Sequence, residues 1–528
     1  MTKQAVAFTS PHFLATQAGM DVLQRGGNAV DAMIAAAAMI AVAYPHMNGL
    51  GGDGFWLVHQ PGQKPWAIDA SGTAATAASP DWYAQRSLQT IPARGAPAAL
   101  TMAGTVAGWQ LAQDTWSAKN PAEQVMPIAD LLAAAITRAE DGIVVTDSLA
   151  AASQKVADEL QGADDYQRVF TRHGSPVQPG ETFRNPALAG LLKLLAEQGL
   201  QSFYRGQVAE GLAQHLSACG SPISLDDFTS YQAQLVTPLE VSIDGAEIFN
   251  LPAPTQGFAS LLLMACYDRL AKADWPAAES IHALIEITKH VFALREQWIA
   301  DPSQVPVDLQ QQLSAASVAR IAAEIDLQGV AQWPRPAQGG DTVWMGAKDA
   351  DGTMVSFIQS LYWEFGSGVV VPQYGLVWNN RGSSFSLVPG IRQLAPRRKP
   401  FHTLNPSLLI DHSGERIAFG TMGGEGQPQT QAALMMRHRY RQQSLADAVS
   451  RPRWLLGRTW GDEDHGLKIE NDLDADIVAA LESRGHSITM VPPRNEAMGH
   501  AGMVKAMTDG GADAATDPRS DGLALTSG

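Results

Sequence analysis

Hydrophobic periodicity divides the chain into a mixed first third, a helical middle and a last third that opens with strands. Residues 5–9 read as a strand, and residues 13–24 carry helical spacing that stops at Gly26-Gly27. Asn28 then offers an N-cap to residues 29–43, which are apolar on nearly every side and so predict a helix buried in the core. That segment is too short and too rich in alanine to span a bilayer. A glycine-rich turn, Gly49 to Gly54, leads into strands over 55–58 and 66–69. The middle predicts helices over 128–139, 186–198, 206–216, 257–270 and 278–299. One strand pair interrupts them, 239–243 and 246–249, around an Asp244-Gly245 turn. A helix over 315–325 precedes a Pro/Gly/Gln stretch that ends at Gly340. Beyond it, residues 342–347 pair with 353–359 around a turn at 349–352, and 407–411 pair with 416–420 around Ser413-Gly414. Helices follow over 430–442 and 474–483. Strands flanked by helices on both sides predict two sheet layers covered by helices.

Composition narrows the partners. The net charge of −16 argues against nucleic acid or an anionic membrane, while leaving room for a local basic pocket. The N-terminus has no long apolar run and no small-residue cleavage site, so it reads as a cytoplasmic first strand. Cys219 and Cys266, the two cysteines, are expected as buried free thiols.

The candidate chemistry starts at Thr342. If the chain splits between Asp341 and Thr342, the threonine hydroxyl becomes a nucleophile with its own α-amine as base. A threonine opening a strand is ordinarily just a β-branched residue on a pleated surface. Gly423-Gly424 can bring two backbone amides to an oxyanion, and equally can form a plain loop. Ser360, expected to end the strand that pairs with the one starting at Thr342, can reach the nucleophile or simply be solvated. Gly49, Gly51 and Gly54 match G-x-G-x-x-G, but helix precedes and strand follows, the reverse of a dinucleotide fold. The histidines show no metal-ligand spacing, and Asp462-Glu463-Asp464-His465 reads as a solvated loop, so no metal or cofactor is implied. There is no G-x-S-x-G elbow.

Several ordered segments carry a resemblance. They are Ala15 to Gly19, Gly26 to Ala32, Gly49 to Gly52, Ala103 to Gly108, Phe203 to Gly206 and Pro252 to Gly257. They continue with Phe365 to Gly368, Asn379-Asn380, Gly423-Gly424 and Asp517 to Ser520. Nearly end to end, the chain resembles the γ-glutamyltranspeptidase family of N-terminal-nucleophile hydrolases. The resemblance implies an α+β fold, a four-layer αββα sandwich built from two cleavage products, residues 1–341 and 342–528. It implies scission at Asp341-Thr342, Ser360 beside the nucleophile and Gly423-Gly424 as the oxyanion hole. The partner so implied is the chain's own cleaved half, and a dimer of such heterodimers is compatible with it.

The departures bear on substrate. Where the family has an arginine for the glutamyl α-carboxylate, this chain aligns Ser71. An asparagine becomes Tyr362, an Asp-Asp pair becomes Ser383-Ser384, and a Ser-Ser pair becomes His402-Thr403. The grip on a zwitterionic head is thereby weakened. Trp344, Tyr362 and Trp363 point to a tighter cavity. The pattern is similar to the subgroup of the family that contains an oxamate hydrolase. It implies a small anionic amide, with Arg381 or His402 holding the carboxylate, Thr403 donating a hydrogen bond, and Tyr362 and Ser383 nearby. The rival readings are γ-glutamyl hydrolysis or transfer, a cephalosporin-type acylase, and a binding protein that does not cleave itself.

Overall fold

The computed structural model describes residues 4–333, 341–457 and 466–528, with only the backbone of Asp341. The Asp462–His465 loop and residues 334–340 of the stretch before Thr342 lie outside the described residues. In chain order the main strands are β1 (Val6–Ser10), β2 (Asp53–His59), β3 (Trp66–Ala70), β4 (Gln234–Val236), β5 (Leu239–Ile243) and β6 (Ala246–Asn250). They continue with β7 (Asp341–Lys348), β8 (Met354–Tyr362), β9 (Ser407–Asp411), β10 (Arg416–Thr421), β11 (Ala501–Ala506), β12 (Ala512–Thr516) and β13 (Leu523–Ser527). One sheet has seven strands in the order β13-β1-β7-β8-β2-β3-β4, and the other has six in the order β12-β11-β10-β9-β6-β5.

Helices cover both outer faces. Over the first sheet lie α1 (Phe13–Gln24) and α2 (Ala29–Ala43). All of α2 is buried, and the Asn28 side chain caps it by accepting from the amides of Val30 and Asp31. Over the second sheet lie α3 (Gly257–Leu270) and α4 (Ala277–Trp298). Between the sheets a third cluster joins Phe55, Leu57, Trp344 and Ile358 to Phe249, Leu408, Ala418 and Val504. The αββα sandwich is therefore present. Among the described residues, no helix is long and apolar enough to cross a membrane.

Four features depart from the expected elements. The chain ends in strands, β11, β12 and β13, and β13 pairs with β1 at the sheet edge. β12 reads Ala-Asp-Ala-Ala-Thr, with Thr516 its single β-branched residue and no aromatic; it forms because β11 offers it a ladder. A helix covers Thr105–Lys119, a span for which the sequence predicts no element. The helix expected over 430–442 runs from Gln427 to Met435 and gives way to a π-type turn, Met436–Tyr440. Cys219, expected to be buried, is exposed because it sits in the last turn of the helix Gly206–Cys219, outside that helix's buried stripe; Cys266 is buried as expected.

Candidate active site

Thr342 lies near the start of β7, an inner strand held between β1 and β8. Side chains alternate along the strand, so Thr342 shares the inter-sheet face with Trp344, while Val343 and Met345 join the helix-side core. Trp344 is an anchor rather than a cavity wall. Its indole nitrogen donates to Ser356 Oγ at 2.9 Å. A Cβ added at Gly346, Gly420 or Gly502 would fall 2.2–2.7 Å from its ring. Three glycines thus make the slot that seats it. The contact with Gly420 also brings the end of β10, and the loop that follows it, to this end of β7.

Thr342 is fully buried, and its hydroxyl has no hydrogen-bond partner among the described residues. Opposite it the ladder is irregular: Gln359 pairs with Val343, but the next pair is Tyr362 with Asp341. Ser360 and Leu361 therefore share the interval facing Thr342. β8 continues through this bulge rather than ending at Ser360. Ser360 Oγ accepts the Tyr362 amide at 2.7 Å, which stabilises the kink, and Tyr362 takes φ 84°. A non-glycine residue pays strain there, so the bulge is held by its surroundings.

Gly423 and Gly424 follow β10 with φ 124° and 52°, values that favour glycine. Among the described residues no turn or cap hydrogen bond uses either amide N–H. Their backbone is held from behind by Gln256, whose side-chain NH2 donates to the carbonyls of Gly424 at 2.9 Å and Thr403 at 2.8 Å. Arg295 donates to Gln256 Oε1 at 2.8 Å and pairs with Glu425, so a buried ionic pair fixes that amide.

The recognition side is a cluster of buried charge. Arg381 opens a short 3-10 turn, with its guanidinium stacked 3.6 Å above the Tyr362 ring. One terminal nitrogen donates to Thr403 Oγ1 at 3.2 Å; Nε and Nη1 are buried without partners among the described residues. Burial pushes its pKa down to about 10, which leaves it cationic at neutral pH. Asp53 stands opposite Ser360 in the ladder and bonds His402 Nε2 at 2.9 Å and the Gly72 amide at 2.7 Å. Burial raises the Asp53 pKa to about 7, opposed by Arg381. His402 is held well below its usual range by burial and by the Arg381 charge. Of the two expected carboxylate holders, Arg381 keeps its charge and His402 is neutral.

Tyr362 supports Arg381 from below, and Ser383 Oγ is turned into the same 3-10 turn, donating to Asn380 O at 2.9 Å. Ser71 brings no cation: its hydroxyl donates to Asp69 Oδ1 at 2.6 Å, and Lys399, the nearby ammonium, is spent on Asp69 Oδ2 at 2.7 Å.

The gamma-glutamyltranspeptidase family model matches residues 15–527. The chain belongs to the γ-glutamyltranspeptidase family. It is 47% identical over 516 residues to an oxamate amidohydrolase proenzyme of Klebsiella pneumoniae, covering 98% of this chain and 97% of that one. It is 36% identical to a glutathione hydrolase-like proenzyme of Bacillus subtilis, covering 99% and 98%. Among solved structures, cephalosporin acylase from Bacillus halodurans superposes with a TM-score of 0.90 at 30% identity, covering 99% and 96%. The chain is thus an N-terminal-nucleophile amidohydrolase of the γ-glutamyltranspeptidase family.

Six site residues escaped the sequence reading: Asp53, Asp69, Gln256, Arg295, Lys399 and Glu425. Asp53 sits inside the rejected glycine pattern, and an acid among glycines that opens a buried strand was the available signal. Arg295 and Glu425 lie 130 positions apart, and nothing local joins them.

Proposed function

We propose that this family member hydrolyses a small carboxylate-bearing amide, oxamate above all, with Thr342 as nucleophile after scission at Asp341-Thr342. In maturation, Thr342 Oγ attacks the Asp341 carbonyl, the peptide shifts from nitrogen to oxygen, and water cleaves the ester. This releases a carboxylate at the end of residues 1–341 and an α-amine at the start of residues 342–528. In turnover, the freed amine takes the hydroxyl proton as Oγ attacks the amide carbon. The Gly423 and Gly424 amides receive the oxyanion. The protonated amine passes its proton to the departing nitrogen, which leaves as ammonia. Water then attacks the acyl-threonine, with the same amine as base, and oxalate departs. Ser360 holds the bulge that faces the nucleophile.

The observation that carries the substrate class is Arg381: a buried cation with two donor nitrogens unpartnered among the described residues, stacked on Tyr362, whose backbone pairs with Asp341. Such a group calls for an anion, and a guanidinium suits a carboxylate. The burial of Thr342, Ser360, Arg381, His402 and Thr403 supports a small molecule over a bulky acyl chain. The likeness to an oxamate amidohydrolase supports oxamate itself. The test is ammonia release from oxamate by protein shown to be two chains; matured protein without turnover removes this substrate. The glutathione hydrolase-like relative keeps γ-glutamyl hydrolysis as a second reading, which requires turnover of a γ-glutamyl anilide.

A further inference from the structure

Far from Thr342 in sequence, the described residues gather three buried ligand atoms of metal-binding type. His282 and Glu286 lie one turn apart on α4 and so share a face. His486 joins them from the turn between the helix Ala475–Ser483 and the strand Ile488–Val491. His282 Nδ1 is 2.8 Å from His486 Nε2, which is 4.0 Å from Glu286 Oε1; one atom from each residue lies within 4.8 Å of the others. Their outer contacts are already arranged. His282 Nε2 is 3.0 Å from the Leu327 carbonyl, which only accepts, so Nε2 carries the hydrogen and Nδ1 presents its lone pair inward. Glu286 Oε2 accepts the Ala331 amide at 2.9 Å. Backbone partners of this kind orient a ligating imidazole and carboxylate. A cavity of about 350 Å³, lined in part by Glu286, Lys289 and Ala331, lies beside the carboxylate.

We propose that His282 Nδ1, Glu286 Oε1 and His486 Nε2 bind a zinc-like divalent transition-metal ion, with water as the fourth ligand. Two imidazoles and a carboxylate suit zinc rather than calcium or magnesium. Bonds of about 2.0–2.1 Å in a tetrahedron set ligand atoms roughly 3.4 Å apart. The His282–His486 separation must open, and the His486–Glu286 separation close, by about 0.6 Å each, small motions for side chains. His486 shifts its hydrogen from Nε2 to Nδ1, so no net proton is released. Lys289 opposes the ion: its ammonium bonds Glu286 Oε1 at 2.7 Å and the Ala331 carbonyl at 2.9 Å. The alternative is a metal-free network in which the two histidines satisfy each other and Lys289 satisfies Glu286.

His282 and Glu286 precede Thr342 in the chain and His486 follows it, while Leu327 and Ala331 belong to the segment leading to the scission point. Resting on the scission reading, the ion clamps the two cleavage products together. The site itself exists in the uncut chain, so the two claims separate. Untagged full-length protein and its Thr342→Ala form are stripped with a chelator, titrated with Zn2+ or Co2+, and dialysed. Both should retain one equivalent of metal and show the intense visible bands of four-coordinate cobalt, lost in His486→Ala. Lys289→Met should tighten binding by at least about tenfold, since it removes a positive charge beside the ion; misfolding cannot mimic that gain. Substoichiometric metal, with the pale cobalt spectrum of the free ion and no response to Lys289→Met, overturns the site in favour of the metal-free network. Normal cobalt binding by the uncut form and none by the cut form overturns the clamp alone.

Discussion

The two halves of the Thr342 site are built differently. The chemical half is backbone and small residues: a strand end, a bulge, two glycines at positive φ and a tryptophan seated among three more glycines. The recognition half is buried charged and polar side chains drawn from distant segments: Asp53, Arg381, Lys399 and Asp69, with the neutral His402. In the proposed reaction the first half serves any amide the fold can admit, and the second half decides which amide. On that proposal the reaction type follows from the fold's geometry, whereas the substrate depends on which buried cation is left without an internal partner. Lys399 is paired with Asp69, and Arg381 keeps two donors without partners among the described residues.

The largest break in this comparison comes from the chemical half. Thr342→Ala should remain a single chain on a denaturing gel and lose at least about 10⁴-fold in turnover, as removal of a covalent nucleophile does. A split chain in that variant contradicts the maturation scheme. Arg381→Leu strikes the other half and should leave scission intact. It should lower kcat/KM for an anionic amide by about 30- to 1000-fold, roughly 2–4 kcal/mol for a buried charge-assisted contact. The uncharged diamide of the same acid should lose far less, so the ratio of the two losses isolates the carboxylate. Equal losses would mean that Arg381 supports the architecture rather than the substrate.

The buried helix from Ala29 to Ala43 was plain in the sequence, since its cap and its all-round apolar surface are local. The chemical half was not: Thr342 opening a strand, Ser360 on the partner strand and Gly423-Gly424 after a strand each have a plainer local reading, and only the ordered family resemblance singled them out. The Asp53–His402 pair was not legible, because 349 positions separate its members and only tertiary packing joins the strand that Asp53 opens to the segment that carries His402. The Arg295–Gln256–Gly424 support was hidden for the same reason. β12 was missed because its residues have little strand preference and take their conformation from a neighbour.

Smaller effects sharpen the comparison. Gly502→Ala places a methyl 2.4 Å from the Trp344 ring, so it should cost about 1–3 kcal/mol of stability, read as a lower denaturant midpoint. The Arg381 ratio should not change in that variant. The smallest effect is in pH. Asp53, with its pKa raised to about 7, is mostly protonated below that pH and leaves Arg381 uncompensated; above it the carboxylate competes for the same cation. KM for an anionic amide should therefore rise severalfold as pH increases through about 7, and Asp53→Asn should flatten that rise. A rise that persists in Asp53→Asn would assign the titration to another group.

The most direct measurement compares kcat/KM for ammonia release from oxamate and from its uncharged diamide, using protein already split at Thr342, with and without Arg381→Leu. The account predicts turnover of oxamate, a preference for it over the diamide, and collapse of that preference in the variant. Turnover of a γ-glutamyl anilide with none of oxamate would contradict it.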